Sequence, residues 1–242
     1  GPKSVIEVHS GLTFLDLTVH QIQLLNKTHD VDVPLILMNS FNTHQDTLQV
    51  VDKYADQRIT IKCFQQSRFP RILRQTLTPM AQDPAGDKEH WYPPGHGDVY
   101  RALASSGLLD KMLADGREYV FISNIDNLGS TVDFTILQWM VDENVDFCME
   151  VTDKTRSDIK GGTLVEYDGS LKLFEIAQCP SDKVDEFKSI KKFKIFNTNN
   201  LWVNLRQLKR LVDNGVMNRM DVIVNPTKAL GQQVIQLETA AG

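Results

Sequence analysis

The chain has 242 residues, 41% hydrophobic and 24% charged. That length fits one large α/β domain, and the balance excludes disordered, collagenous and coiled-coil chains. With 26 Lys and Arg against 31 Asp and Glu the net charge is −5, which argues against nucleic acid as the main partner. Cys63, Cys148 and Cys179 are far apart and lack CxxC spacing, as expected for a reducing, cytoplasmic setting. No apolar run approaches the roughly 20 residues of a membrane span, and the first residues show no secretory-signal pattern.

In chain order, Phe14, Leu15, Val19, Ile22 and Leu25 recur at helical spacing until Asn26 and Asp30 break the pattern. A buried strand is predicted over 33–38, then a helix capped by Thr43, then a β-branched strand over 58–64. Residues 65–98 carry five prolines and little clear periodicity, which predicts a long loop of the functional or mobile kind. A helix near 99–114, a strand at 119–122, a helix around 135–141 and a strand at 145–149 restore the rhythm. Two alternating strands flank Asp168-Gly169, a type I′ hairpin signal. A helix over 201–212 and a strand at 222–224 are expected last, with another helix starting near Leu237. The fold class predicted is α/β: a mixed, mostly parallel sheet flanked by helices, because parallel strands need crossovers of this length. Ligands then belong at strand C-terminal ends. Both ends look cut.

Four places could carry chemistry. In Pro93-Pro-Gly-His-Gly-Asp98, Gly95 and Gly97 would let a phosphate or sugar approach the backbone with His96 between them; a rigid turn with Asp98 as a plain helix cap reads equally well. Asn124-Ile125-Asp126-Asn127 follows an apolar strand, so Asp126 could hold Mg²⁺ between phosphate oxygens; a turn aspartate is the bland alternative. Gly161-Gly162 would admit a ligand at the hairpin entry, and Glu175 could accept from sugar hydroxyls or be a solvated strand residue. Asn197, Asn199 and Asn200 suit polyol recognition or a helix cap. Lys3 and Gln66, taken alone, read as surface residues. Zinc spacings, nucleophile elbows and Walker lysine loops do not occur.

At these residues the sequence resembles the eukaryotic UTP–glucose-1-phosphate uridylyltransferases. The motifs are Gly1-Pro-Lys-Ser4, Leu37-Met-Asn-Ser-Phe-Asn42, Gln66-Ser67, Trp91-Tyr-Pro-Pro-Gly-His-Gly-Asp98, Ser123-Asn-Ile-Asp-Asn127, Lys160-Gly-Gly-Thr163, Glu175-Ile-Ala-Gln178, Phe193-Lys-Ile-Phe-Asn-Thr-Asn-Asn-Leu-Trp202 and Gln236-Leu-Glu-Thr239. The resemblance covers essentially residues 1–242 and implies a Rossmann-like, glycosyltransferase-A-like nucleotidyltransferase domain. It implies that UTP and glucose 1-phosphate are converted to UDP-glucose and pyrophosphate with Mg²⁺ as cofactor. By motif, Lys3, His96 and Asp126 are expected at the reacting phosphates, Asp126 as the metal ligand. Lys3, Gln66 and Gly95 would contact the nucleotide. His96, Asn124, Ile125, Asp126, Gly162, Glu175, Asn197, Asn199, Asn200 and Leu201 would surround the substrate.

Two parts of the family pattern do not occur in the chain: the glycine-rich nucleotide loop expected before Gly1-Pro-Lys-Ser4, and the later lysine with the C-terminal β-helix through which family members associate as homo-oligomers. Residues 1–242 therefore read as an incomplete catalytic domain. A truncated paralogue that only binds nucleotide sugars, and a pyrophosphorylase for N-acetylhexosamine 1-phosphates, are the alternative readings.

Overall fold

The computed structural model describes residues 1–80, 86–158 and 161–241. A short antiparallel pair, β1 (Glu7–His9) and β2 (Leu12–Thr13), leads into α1 (Phe14–His29). Thr13 Oγ1 accepts from the Asp16 N–H at 3.2 Å while Thr13 N–H donates to Asp16 Oδ2 at 2.9 Å, so two otherwise orphaned amides are satisfied at the helix start. Next come β3 (Leu35–Asn39), α2 (His44–Val51) and β4 (Ile61–Gln65), and the two strands pair in parallel with Leu35 opposite Ile61 and Asn39 opposite Gln65. Leu15 and Val19 of α1, Leu37 of β3 and Tyr54 bury one another in a first core cluster.

The stretch predicted as loop holds three two-residue strands, β5 (Phe69–Pro70), β6 (Ile72–Leu73) and β7 (Trp91–Tyr92). The helix expected near 99–114 is broken into α3 (Val99–Ser105) and α4 (Leu108–Ala114). Gly107 lies between them at φ 77°, the left-handed conformation that ends a helix and that glycine adopts without steric cost. Then follow β8 (Tyr119–Ile122), α5 (Phe134–Asp142), β9 (Phe147–Asp153) and the hairpin β10 (Thr163–Tyr167) with β11 (Ser170–Phe174). Its turn residues Asp168 and Gly169 have φ of 52° and 72°, as the type I′ signal predicts.

After α6 (Val184–Lys188) comes the ten-residue β12 (Ile195–Asn204), then α7 (Leu205–Asp213), β13 (Ile223–Ala229) and β14 (Gln232–Glu238). Here the structure corrects the sequence reading. Residues 201–204 are strand, and the helix begins at Leu205 behind an Asn204 cap whose Oδ1 accepts from Arg206 and Gln207 N–H at 3.0 and 3.2 Å. Leu201, Leu205, Leu208 and Val212 keep helical spacing across that boundary, which hides it. The helix expected near Leu237 is instead the end of β14, paired with β13 and β6.

The α/β class and mixed sheets are as expected, but the parallel share is smaller. Among the described strands only β3·β4 is a parallel pairing; β12 runs antiparallel between β8 and β9. Those two strands do point the same way, as their β/α rhythm demands, and the long β12 separates them. A second core cluster forms under this sheet, from Phe64, Val99, Leu103, Leu109, Met112, Leu201, Val203 and Leu205.

Candidate functional site

Gln66 follows β4 directly and Asn124 lies two residues beyond β8, so both stand at strand C-terminal ends, where open α/β sheets place ligands. Because β12 is antiparallel to β8, with Leu201 opposite Ile122, its first half extends beyond the end of β8 and reaches the Asn124–Asn127 turn. Pairing between β12 and β9 shifts between Asn197 and Asn200. Thr198 and Asn199 are the extra residues, and Asn199 takes φ 59°. A bulge of this kind re-aims side chains, and here it aims them into a cleft.

The cleft has a volume of about 590 Å³ and is walled by Asn124, Asp126, Asn127, Asp158 and the segment 196–199. At its edge Lys3 Nζ lies 3.1 Å from Asp126 Oδ2. The Lys3 side chain is 71% exposed, so the pair contributes little to stability and opens at small cost. Among the described residues no group of three or more His, Cys, Asp or Glu gathers as a metal cage. Asp126 offers an exposed carboxylate, the donor type that a hard, largely hydrated cation such as Mg²⁺ accepts.

The asparagines divide by what holds them. Asn197 Nδ2 donates to Asn199 Oδ1 at 3.0 Å, and Asn199 N–H donates to Asn197 Oδ1 at 2.9 Å. Both line the cleft. Asn200, 6% exposed, does not: its Nδ2 donates to Glu150 Oε2 at 3.1 Å, and its Oδ1 receives Ser130 Oγ at 2.9 Å and Asn127 Nδ2 at 3.3 Å. Leu201, expected at the substrate, is 1% exposed within the second core cluster. The Ile125 side chain packs on the first cluster.

Gly162 is tied in by its carbonyl, which accepts from Asn197 N–H at 2.9 Å. A Cβ on Gly162 would stand 2.6 Å from Glu175 Oε1, so glycine is required for Glu175 to approach. Burial pushes the Glu175 carboxyl above the usual glutamate range; it is not the solvated strand residue of the bland reading. Lys160, part of the same motif, lies outside the described residues.

Between the Gln66 loop and the 93–98 turn, Asp98 acts as a clasp rather than a helix cap. Ser67 N–H and Oγ donate to its carboxylate at 2.6 and 3.0 Å, which ties the Gln66-Ser67 loop to the turn carrying Gly95 and His96. Gln66 Oε1 is buried without a partner among the described residues, an acceptor that a ligand could use. Gly95 has φ 89°, but the close approach allowed by Gly97 is filled by the chain itself, since Gly97 N–H donates to Thr239 O at 3.0 Å. His96 is exposed, yet the protein atoms around it desolvate the ring and lower its pKa, with the Glu238 carboxylate partly opposing.

Asp158, Asn127, Phe196 and Thr198 are cleft residues that the sequence reading missed. For Asp158 the Thr-x-x-Asp spacing was the available signal: Thr155 N–H donates to Asp158 Oδ2 at 2.9 Å and Thr155 Oγ1 at 2.5 Å, holding the carboxyl below the usual range. A second cavity of about 350 Å³ is walled mainly by apolar residues such as Phe69, Ile72, Met217 and Met220, which suits a sugar phosphate less than the polar cleft does.

The fold and this cleft together define an α/β protein with a polar cleft at its strand ends. A family model described as UTP–glucose-1-phosphate uridylyltransferase matches residues 1–242. The chain is 57% identical over 242 residues to UTP–glucose-1-phosphate uridylyltransferase 2 of Dictyostelium discoideum, covering 100% of this chain and 48% of the relative. It is 56% identical to the UTP–glucose-1-phosphate uridylyltransferase of Hordeum vulgare, of which it covers 51%. Among solved structures, UDP-glucose phosphorylase from Trypanosoma brucei superposes with a TM-score of 0.89 at 40% identity, over 100% of this chain and 55% of that one. A variant of UDP-glucose pyrophosphorylase from Leishmania major in complex with UDP-glucose gives 0.85 at 37% identity, over 99% of this chain and 55% of that one. The chain belongs to the UTP–glucose-1-phosphate uridylyltransferase family, and it spans about half the length of the curated relatives it matches.

Proposed function

We propose that the full-length protein forms UDP-glucose and pyrophosphate from UTP and glucose 1-phosphate. A phosphate oxygen of the sugar phosphate bonds to the α-phosphorus of UTP as the bond to the bridging oxygen breaks, and that oxygen leaves on pyrophosphate. The observation that carries this reading is the Lys3–Asp126 pair, 3.1 Å apart, at the edge of a cleft whose Asn124, Asn197 and Asn199 suit sugar hydroxyls.

Two anions must be brought into line, so charge neutralisation and positioning supply most of the rate. Asp126 would hold Mg²⁺, whose positive charge would offset that of the phosphate oxygens. Lys3, released from Asp126 as phosphate enters, would turn its ammonium to the same oxygens. The amides of Asn124, Asn197 and Asn199 and the carboxyl of Glu175 would hold glucose. Gln66 Oε1, buried and unpaired, supplies an acceptor for a base N–H. His96, its pKa lowered by desolvation, would offer its ring as a hydrogen-bonding group beside the sugar phosphate. We place the protein in the cytosol, a setting that suits its three free thiols. No helix among the described residues is long and apolar enough to cross a membrane.

The test is turnover of UTP and glucose 1-phosphate by the full-length protein as Mg²⁺ is varied. Asp126→Ala is expected to lower kcat by about 100-fold or more, as loss of a transition-state charge stabiliser does. Activity of Asp126→Ala equal to wild type would overturn the role given to Asp126.

A further inference from the structure

Glu150 sits on β9 opposite Asn200, where the β12 bulge closes, and it does not line the cleft. Its hydrogen bonds hold β12 at and beside the bulge: Oε1 accepts from Trp202 Nε1 at 2.7 Å, Oε2 accepts from Asn200 Nδ2 at 3.1 Å, and its carbonyl accepts from Thr198 Oγ1 at 2.7 Å. An ionised carboxylate can only accept, so Asn200 must present its NH₂ to Glu150 and its carbonyl oxygen to the other side. There Asn200 Oδ1 receives Ser130 Oγ at 2.9 Å and Asn127 Nδ2 at 3.3 Å. Asn127 and Ser130 are in turn the closing residues of two consecutive turns, Asn127 N–H to Asn124 O at 3.0 Å and Ser130 N–H to Asn127 O at 3.1 Å. Asp126 lies inside the first of them.

We propose that Glu150 is a positioning residue for the Asp126 turn. Its carboxylate fixes the donor–acceptor polarity of Asn200, and the acceptor end of Asn200 anchors residues 124–130 at the cleft wall. Trp202, 2% exposed, holds the second carboxylate oxygen, so the carboxylate cannot rotate away. Outer-shell partners of this kind orient ligating groups, and their loss characteristically costs far more than their distance from the chemistry suggests. The proposal rests on the reading of Asp126 as the carboxylate at the reacting phosphates.

The discriminating experiment reverses the polarity of the relay. In Glu150→Gln the new NH₂ faces Asn200 Nδ2, and one of the two amides must flip. Adding Asn200→Asp restores the pattern: the aspartate accepts from the glutamine on one side and from Ser130 and Asn127 on the other, with the net charge unchanged. In the full-length protein, Glu150→Gln is expected to lower kcat and raise the half-saturating Mg²⁺ concentration by roughly 10- to 100-fold. KM for glucose 1-phosphate is expected to change by a smaller factor than kcat, since of the groups given to the sugar only Asn124 sits on the anchored turn. Asn200→Asp alone sets two carboxylates against each other and is expected to be worse than Glu150→Gln, whereas the double variant recovers most of the loss, a coupling the two single variants cannot produce additively.

Hydrogen exchange of the amides over 124–130 gives a readout independent of activity, faster in Glu150→Gln and slowed again in the double variant. Unchanged Mg²⁺ response and unchanged exchange in a folded Glu150→Gln protein would overturn the relay, as would a double variant no better than the sum of its parts. If wild type itself shows no Mg²⁺-dependent turnover, the functional reading fails while the exchange measurement still decides the relay. Should Glu150→Gln not fold, Ser130→Ala removes one donor to Asn200 Oδ1 from the opposite side. It is expected to move both readouts in the same direction by a smaller factor, and no movement would overturn the proposal.

Discussion

At the scale of single residues, neighbours far away in sequence decided most roles. Asp98 directly precedes α3, where a cap is expected, yet its carboxylate serves Ser67, 31 residues earlier. Gly97 invites the idea of a ligand cradle, but a Cβ there would stand 2.5 Å from Ala240 O and 2.7 Å from Thr239 O. Both are backbone atoms that cannot swing aside, so Gly97→Ala is expected to destabilise the fold by about 1–3 kcal/mol, as overpacking does; thermal denaturation followed by circular dichroism checks this. Glu175 carries the opposite signature. Its pKa is raised by burial, so the folded state binds this proton more tightly than the unfolded state and stability falls as pH rises from the ordinary glutamate range through the raised value. Glu175→Gln cannot ionise and should lose that fall. It is expected to match wild type in acid and exceed it at neutral pH, while its KM for glucose 1-phosphate rises by roughly the tenfold or more that a hydrogen bond to a charged group is worth. Melting temperatures across pH, set beside KM, test both halves; a Glu175→Gln protein less stable than wild type at neutral pH would contradict the burial argument.

At the scale of elements, α1 and α5 start behind the Thr13 and Asp133 side-chain caps and were legible, whereas the start of α7 behind Asn204 was not, because apolar spacing runs straight through that cap. Asp133 Oδ1 accepts from Thr135 N–H at 2.7 Å at the start of α5, and Asp133→Ala is expected to cost about 1 kcal/mol, read as a lower melting temperature with unchanged substrate kinetics. The hairpin of β10 and β11 was legible for a related reason, because Asp168-Gly169 has the backbone freedom that a type I′ turn requires. The second hairpin, β13 with β14, turns at Leu230-Gly231 with φ of 48° and 75°, the same geometry without the Asn or Asp that signals it. The end of β12 was misread as helix because Leu201, Trp202 and Val203 are all buried, and a strand buried on both faces shows no alternation.

At the scale of the molecule, the candidate site spans two cores. Ile125 packs on the cluster built by α1, β3 and Tyr54, while Ile122 and Leu201 belong to the cluster under β12, α3, α4 and α7. A ligand in the cleft touches turns seated on both, so binding should stabilise the fold as a whole. UDP-glucose with Mg²⁺ at 100 times its Kd is expected to add about 2.7 kcal/mol. Calorimetry would show this as a melting temperature raised by several degrees in the full-length protein, and a ligand-independent melting temperature would count against the cleft as the binding site.

Composition and periodicity by themselves determined the α/β class, the positions of α1, β3, β4, β8, α5 and the first hairpin, and the turns after strand ends where Gln66 and Asp126 stand. These follow from local rules: side-chain period, turn conformation and the direction of a strand leaving a sheet. Which of the candidates face the cleft was decided only by tertiary structure. Asn197 and Asn199 face it, Asn200 is consumed by Glu150, Ser130 and Asn127, and Leu201 is core. The physical reason is the two-residue bulge in β12. It is held by Asn199 N–H donating to Asn197 Oδ1 and by the shift of register against β9, and it separates the residues of one motif that face the cleft from those that face protein.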